Sequence, residues 1–223
     1  MVIDRRHIQE NYETLLLSYA AGILDMAQHF AVSIHLSLSP TARDFVQQCE
    51  TIGGCLIENE CAPAAMKSNS LDNVLAQLDT RQRPSQPAPK KSVLPEDIDI
   101  PAHLLECIEC KPCDPRWKTF YPGLAIYELP LECRQSRARF IKGQPAAKLP
   151  HHEHRGLEIT LVLDGAYEDE TGFYQRGDLV VIDETIEHST VACGQHGVMA
   201  MVVTSQPVRF HGLARLLNPF IRF

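Results

Sequence analysis

The chain has 223 residues, 44% hydrophobic and 22% charged, a globular composition with room for one or two domains. Its net charge of −7 comes from 28 Asp and Glu against 21 Lys and Arg that cluster into no basic stripe, which excludes nucleic acid as a direct partner. An acidic protein can instead cover a basic partner that itself binds DNA. No apolar run reaches the length of a membrane span, and the opening MVIDRRHIQE has no apolar core of a secretory signal. The eight cysteines then read as reduced thiols of a cytoplasmic protein rather than a disulfide framework.

Residues 1–80 have helical periodicity. Asn11 is the expected N-cap of a first helix with Leu15, Leu16, Tyr19, Ala20 and Ile23 on its apolar stripe, and Gly22 lies near its end. Asp25 and Gln28 have the spacing of a capping box before Ala27, Phe30, Ala31, Ile34 and Leu38. Ser39-Pro40 restarts the chain as N-cap and first helical residue, and Phe45, Cys49, Ile52 and Leu56 continue the pattern. Gly53-Gly54 is expected to bend or weaken that third helix, or to let another backbone come close. A polar loop over 59–70 leads to a short helix with Leu71, Val74, Leu75 and Leu78 on one face and Asp72, Asn73, Gln77 and Asp79 on the other. Alone it is too short to be stable, so its apolar face must dock, either on its own bundle or in the groove of a partner.

Five prolines between 81 and 102, in RQRPSQPAPKK and beyond, mark an extended linker. After it the period changes: WKTFYPGLAIYELPL, ARFIK, LEITLVLDG, DLVVID and VMAMVVTS read as strands between Pro and Gly turns, and GLARLLNPF as a terminal helix or strap. The organisation expected is a helical domain over 1–80, a linker over 81–102 and a β-domain over 103–223, an α+β chain. Cys107, Cys110 and Cys113 form C-x2-C-x2-C, a shape that holds metal or makes a redox disulfide, although scattered thiols are the plainer reading; Cys193 is a second candidate thiol.

The chemistry concentrates in 143–188. His152, His154 and Glu158 fall at H-x-H-x3-E, and His188 follows after a further strand. Strand alternation puts His152 and His154 on one face, with Glu158 joining them if the strand is unbroken, while His151 and Glu153 face away. LEITLVLDG is expected to stop in a tight turn at Asp164-Gly165. Three imidazoles and a carboxylate suit a borderline divalent ion.

Gly143-x8-His152-x-His154-x3-Glu158-x6-Gly165 resembles the first cupin motif with a stretched Gly-to-His gap, and Gly177-x5-Asp183-x-Thr185-x2-His188 resembles the second, with Asp183 and Thr185 where cupins commonly carry Pro and Gly. The resemblance implies a small β-barrel holding one divalent metal, zinc first, with iron, manganese or nickel as alternatives. In the helical half, His35-x3-Ser39-x2-Ala42 resembles the His-x3-Cys-x2-Cys motif of zinc-containing anti-sigma domains with both thiols gone, and His7 stands where that family places a further histidine. SYAAGILD, HLSLSP and TIGG are similar to the same family. Taken end to end, the chain resembles the ChrR-type anti-sigma factors.

That resemblance implies a cytoplasmic protein that binds and inhibits an extracytoplasmic-function sigma factor through its helices, Leu71, Val74, Leu75 and Leu78 included. It also implies a metal-binding barrel that senses oxidative or photo-oxidative stress and triggers release. Ser39 and Ala42 cannot act as thiolate ligands, so the degenerate zinc site at His7 and His35 is expected to be empty, with both histidines in ordinary hydrogen bonds. No catalytic residue stands out. An oxygen-activating cupin metalloenzyme with an accessory helical domain, and a small-ligand-binding cupin, are the other readings; without its sigma factor the Leu71–Leu78 face could drive homodimerisation.

Overall fold

The structure, a computed structural model, describes residues 5–80 and 117–210, apart from 130, 132, 134, 207 and 208 and the side chains of 79 and 80. The linker expected over 81–102, the cysteines Cys107, Cys110 and Cys113, and the element expected over 212–220 lie outside the described residues.

Four helices come first: α1 (Arg5–Ala20), α2 (Met26–Leu38), α3 (Pro40–Glu60) and α4 (Ser70–Thr80). α1 begins six residues before the expected cap. Asn11 lies inside the helix, and its side chain reaches across to Asp183 at 3.1 Å rather than folding back on its own backbone. Leu15 and Leu16 are buried, α1 ends before Gly22 at φ 69°, and Ile23 lies beyond the helix, exposed. The capping box of α2 forms as the spacing requires, with Asp25 accepting from the Gln28 N–H at 2.9 Å and Gln28 accepting from the Asp25 N–H. Ser39 caps α3 by accepting from the Ala42 N–H, with Pro40 as the first helical residue.

α3 departs from its expected stripe. Its buried residues are Ala42 and Val46, whereas Ile52 and Leu56 are exposed. The helix runs unbroken through Gly53 and Gly54, and a Cβ added at either would meet no other part of the protein within 4 Å beyond the helix's own backbone. At 21 residues α3 is about 31 Å long, against about 20 Å for α2, so its last turns outrun the neighbours that could cover them.

Among the described residues nine strands follow: β1 (Lys118–Tyr121), β2 (Leu124–Glu128), β3 (Arg137–Gly143), β4 (Lys148–Glu153), β5 (Glu158–Glu168), β6 (Phe173–Gln175), β7 (Leu179–Ile182), β8 (His188–Thr204) and β9 (Arg209–Phe210). They form one antiparallel sheet in the order β1-β2-β3-β8-β4-β9, with β5 pairing β6, β7 and β8. The 17-residue β8 is the hub. Its first residues pair with β4, its last seven with β3, and β5 runs along most of its length. The turn expected at Asp164-Gly165 does not exist: β5 continues to Glu168, and Gly165 sits at an irregularity opposite the same strand β8. Its φ is 68°, and a Cβ there would lie 2.0 Å from the Gly197 carbonyl oxygen, so only glycine allows the two strands to stay paired.

The sheet is apolar on both faces, and the two faces alternate residue by residue. Glu158, Thr160, Val198, Ala200 and Val202 line an interior cavity. Ile159, Leu161, Leu163, Met199, Met201 and Val203, with Phe140 of β3, belong to one continuous core with Leu16, Phe30, Ala31 and Ile34 of the helices. The helices therefore cover the outside of the rolled sheet, and this explains why VMAMVV of β8 and Leu161-Val162-Leu163 of β5 are uninterrupted apolar runs instead of alternating ones. Burying a Leu or Ile side chain in this way contributes about 1.5–3 kcal/mol, so the shared layer is a principal source of cohesion between the two parts.

Candidate metal centre

β4 ends at Glu153, and the chain turns through Arg155 and Gly156 before β5 begins at Glu158. The strand expected to carry His152, His154 and Glu158 is thus broken, yet the three still converge. His152 and His154 face inward by alternation, with ring centroids 4.8 Å apart, and Glu158 enters from the start of the next strand. His188, the first residue of β8, is the register partner of His152. His152, His154 and His188 are 1–4% exposed and Glu158 is 7% exposed. One nitrogen from each histidine lies within 4.8 Å of the others, and this is the one cluster of three or more such side chains with ligand spacing among the described residues.

The surroundings fix which nitrogens face the centre. His152 Nδ1 donates to the Pro150 carbonyl at 2.9 Å, and His188 Nδ1 donates to Asp169 Oδ2 at 2.8 Å. Each ring then presents an Nε2 lone pair inward, the arrangement a metal-ligating histidine requires. His188 Nε2 stands 3.0 Å from His154 Nε2, close to the separation of two nitrogens that each sit about 2.0–2.1 Å from one ion. His154 Nδ1 is buried without a hydrogen bond, although Glu158 Oε2 is 3.3 Å away. Glu158 Oε1 accepts from the Thr160 hydroxyl at 3.1 Å and lies 4.0 Å from His188 Nε2. A buried, lone-pair-rich cluster with an unsatisfied nitrogen is what a divalent cation would resolve, so the donor set fits one.

The ionisation states agree. Burial, reinforced by neighbouring His188, pushes the His152 imidazole down to about 3, and burial also lowers His154. Burial opposes the charge on His188 too, but its bond to Asp169 and the nearby Glu158 carry it net upward. Burial would raise Glu158, yet His154, His188 and His152 hold it below the usual carboxylate range. The centre keeps two neutral imidazoles and an anionic carboxylate, which are ligand forms.

Residues around the ligands had no ligand-type spacing to reveal them. Asp169, within the acidic run Glu168 to Glu170, orients His188, while Glu170 holds the Ser189 N–H and hydroxyl at 2.8 and 2.7 Å. Arg176 donates to the Leu163 carbonyl. His151 faces away as expected, half exposed and 3.7 Å from Glu187. Cys193 is half-buried on β8, and burial together with Glu168 pushes its thiol up, which disfavours the thiolate that a sensor needs.

In the helical half, His7 Nε2 meets Asp183 Oδ2 at 2.5 Å. His35 uses both ring nitrogens, donating from Nδ1 to the Gly177 carbonyl and receiving the Tyr12 hydroxyl at Nε2, each at 2.9 Å. Burial lowers the His35 pKa, in keeping with that neutral tautomer. Both histidines thus reach the β-roll or a neighbouring side chain.

The sequence profile of the ChrR cupin-like domain matches residues 107–208. Over 220 residues, 98% of either chain, the sequence is 37% identical to the anti-sigma-E factor ChrR of Cereibacter sphaeroides. The chain belongs to the ChrR family. In structure it is similar to the crystal structure of Rhodobacter sphaeroides SigE in complex with the anti-sigma ChrR, with a TM-score of 0.69 and 34% identity, covering 86% of this chain and 96% of that one. KdgF from Halomonas sp. matches 41% of this chain and 86% of its own at 21% identity and a TM-score of 0.37. Helices followed by an antiparallel cupin-like sheet are thus the ChrR-family architecture here, and the expected α+β class holds.

Proposed function

We infer that this chain is an anti-sigma factor that binds and inhibits an extracytoplasmic-function sigma factor, with helices in 1–80 as the binding unit, 81–102 as a linker and 103–223 as a metal-binding cupin. The observation that carries the reading is uncovered apolar surface on a protein of this family. Leu71, Val74, Leu75 and Leu78 of α4 are each about half exposed or more, and so are Ile52, Leu56 and Ile57 on the projecting end of α3. Of the two docking choices open for α4, its own bundle does not take up this face, which leaves it to a partner. Glu50, Glu58, Glu60 and Asp72 lie on the same helices and suit a basic partner surface.

His152, His154, Glu158 and His188 would hold one divalent ion, zinc first by its preference for nitrogen and carboxylate donors, with iron, manganese or nickel as alternatives. The ion would supply a Lewis-acidic, ligand-exchangeable centre inside the roll. The chain's own residues orient the donors and exclude water. Its role would be to sense oxidative or photo-oxidative stress in the cytoplasm. No helix among the described residues is long and apolar enough to cross a membrane. His7 and His35 would hold no zinc, because His7 Nε2 and both ring nitrogens of His35 are engaged elsewhere and Ser39 and Ala42 offer no thiolate.

A cavity of about 70 Å³ beside His152, Glu158 and His188, otherwise lined largely by apolar residues such as Leu124, Ile141 and Val198, favours a second reading, a cupin metalloenzyme that takes a small apolar substrate beside the metal. Co-expression with the sigma factor encoded beside it, followed by purification and metal analysis, separates the two. An equimolar complex carrying about one metal per chain supports the regulator. No complex, with turnover of an oxygen-dependent substrate, would establish the enzyme instead.

A further inference from the structure

The turn between β7 and β8 joins two features that the functional reading leaves apart. At one end, Asp183 receives α1. Its Oδ2 accepts from His7 Nε2 at 2.5 Å and Asn11 Nδ2 at 3.1 Å, while Oδ1 accepts from the Thr185 N–H and hydroxyl at 2.9 and 2.6 Å. In the middle, Ile186 is buried with Val180 and Ile182, and Ile8 of α1 packs against them. At the other end stands His188, a member of the triad, only five residues from Asp183. The carboxylate that receives α1 is thus also the one that folds the turn, and the turn delivers a candidate metal ligand.

The geometry points to a coupling between occupancy of the His152–His154–His188 centre and docking of α1 on the β-roll, carried by residues 183–188. An ion held at His188 fixes the start of β8 and hence the turn. The turn then presents Asp183 and Ile186 in the positions that His7, Asn11 and Ile8 need. Docking α1 in turn stabilises the turn in its ligand-delivering form. By linkage the effect is reciprocal: whatever factor metal adds to docking, docking adds to metal affinity. His7 thereby does for this chain what a zinc ligand does in the domains it resembles, tying the helix down, but to the sensor rather than to an ion of its own. The inference rests on the metal reading above.

The test uses the intact chain and two variants, with zinc as the probe. Asp183→Asn keeps an acceptor for the Thr185 turn bonds but replaces Oδ2 with an amide that cannot accept from His7 and Asn11. His7→Phe removes the bond to Asp183 from the α1 side, leaves the turn's own sequence intact and touches no triad residue. Zinc affinity is measured by competition with a chromophoric chelator, and amide hydrogen exchange in α1 with and without zinc. Zinc is expected to slow exchange across Arg5–Ala20 of the intact chain, and both variants to bind zinc at least about fivefold more weakly, the low end of ordinary coupling. If His7→Phe, folded by circular dichroism, binds zinc as tightly as the intact chain, or if zinc leaves α1 exchange unchanged, the coupling is overturned. If the intact chain binds no zinc or other divalent ion, the metal reading falls and takes the coupling with it.

Discussion

Thr160 and Leu161 are neighbours in β5 that serve two different interiors. The Thr160 hydroxyl donates to Glu158 beside the histidine triad, while Leu161 is fully buried in the layer between sheet and helices. One strand therefore supports the centre with its even residues and anchors the helices with its odd ones. Leu161→Ala should cost about 2–5 kcal/mol, as deletion of a well-packed leucine does, and should loosen the helices together with the sheet. Denaturant unfolding followed by circular dichroism and by Trp117 fluorescence should show one shared transition at a lower midpoint. Separate transitions would contradict a common core.

The triad should lose its ion when any ring is removed. His152→Ala and His154→Ala should abolish cupin metal by elemental analysis while leaving sigma binding in place, because the exposed faces of α3 and α4 lie elsewhere in the chain. Asp169→Asn is the finer test. It leaves every proposed ligand intact but withdraws the carboxylate that orients His188, and a loss of about 10–100-fold in zinc affinity is expected.

The apolar side of α4 contributes little to the isolated fold, since its residues are exposed. Leu71→Ala and Leu75→Ala should each change unfolding free energy by less than about 0.5 kcal/mol. In the complex the same changes should weaken binding by more than about 1 kcal/mol each, measured by titration calorimetry against the sigma factor. Unaltered affinity in the pair of variants would move the interface to another face.

Two acid-sensitive contacts join helices to sheet in different pH windows. Burial lowers the His35 pKa below its ordinary 6.5, so the unfolded chain takes up a proton that the folded chain refuses, and stability falls as pH drops below about 6.5. Asp183 opposes its own partial burial through bonds to Thr185, Asn11 and His7 and sits at about 2, so its contribution is present above 3.8 and is lost between there and 2. His152 and His154 carry the same sign as His35, and His188 the opposite. His35→Gln should therefore flatten, without abolishing, the slope of stability between pH 7 and 5, read from urea midpoints, and leave the step below pH 4 unchanged.

Much of this was legible from residue order. The capping box at Asp25, the Ser39-Pro40 restart and the convergence of His152, His154 and His188 all depend on local spacing, which sequence states directly. What escaped depends on partners far along the chain. Asn11 has the composition of a cap, but Asp183, 172 residues away, offers it a bond. Asp164-Gly165 has the composition of a turn, but β8 continues alongside, and the glycine is required by the Gly197 backbone instead. Asp169 carries no ligand spacing, because it acts through His188 rather than on an ion. The apolar runs of β5 and β8 did hold one unread signal: a strand that is hydrophobic on both sides must be covered on both sides.

That last point bears on dissection of the protein. Ile159, Leu161, Leu163, Met199, Met201 and Val203 form a greasy plate that the helices shield. A protease cut in the proline-rich segment, followed by loss of the helical piece, would leave the barrel with this plate bare to water. Such a fragment should clump or pair plate to plate instead of staying a quiet monomer, so binding experiments on the isolated barrel would report on stickiness that the whole chain keeps hidden.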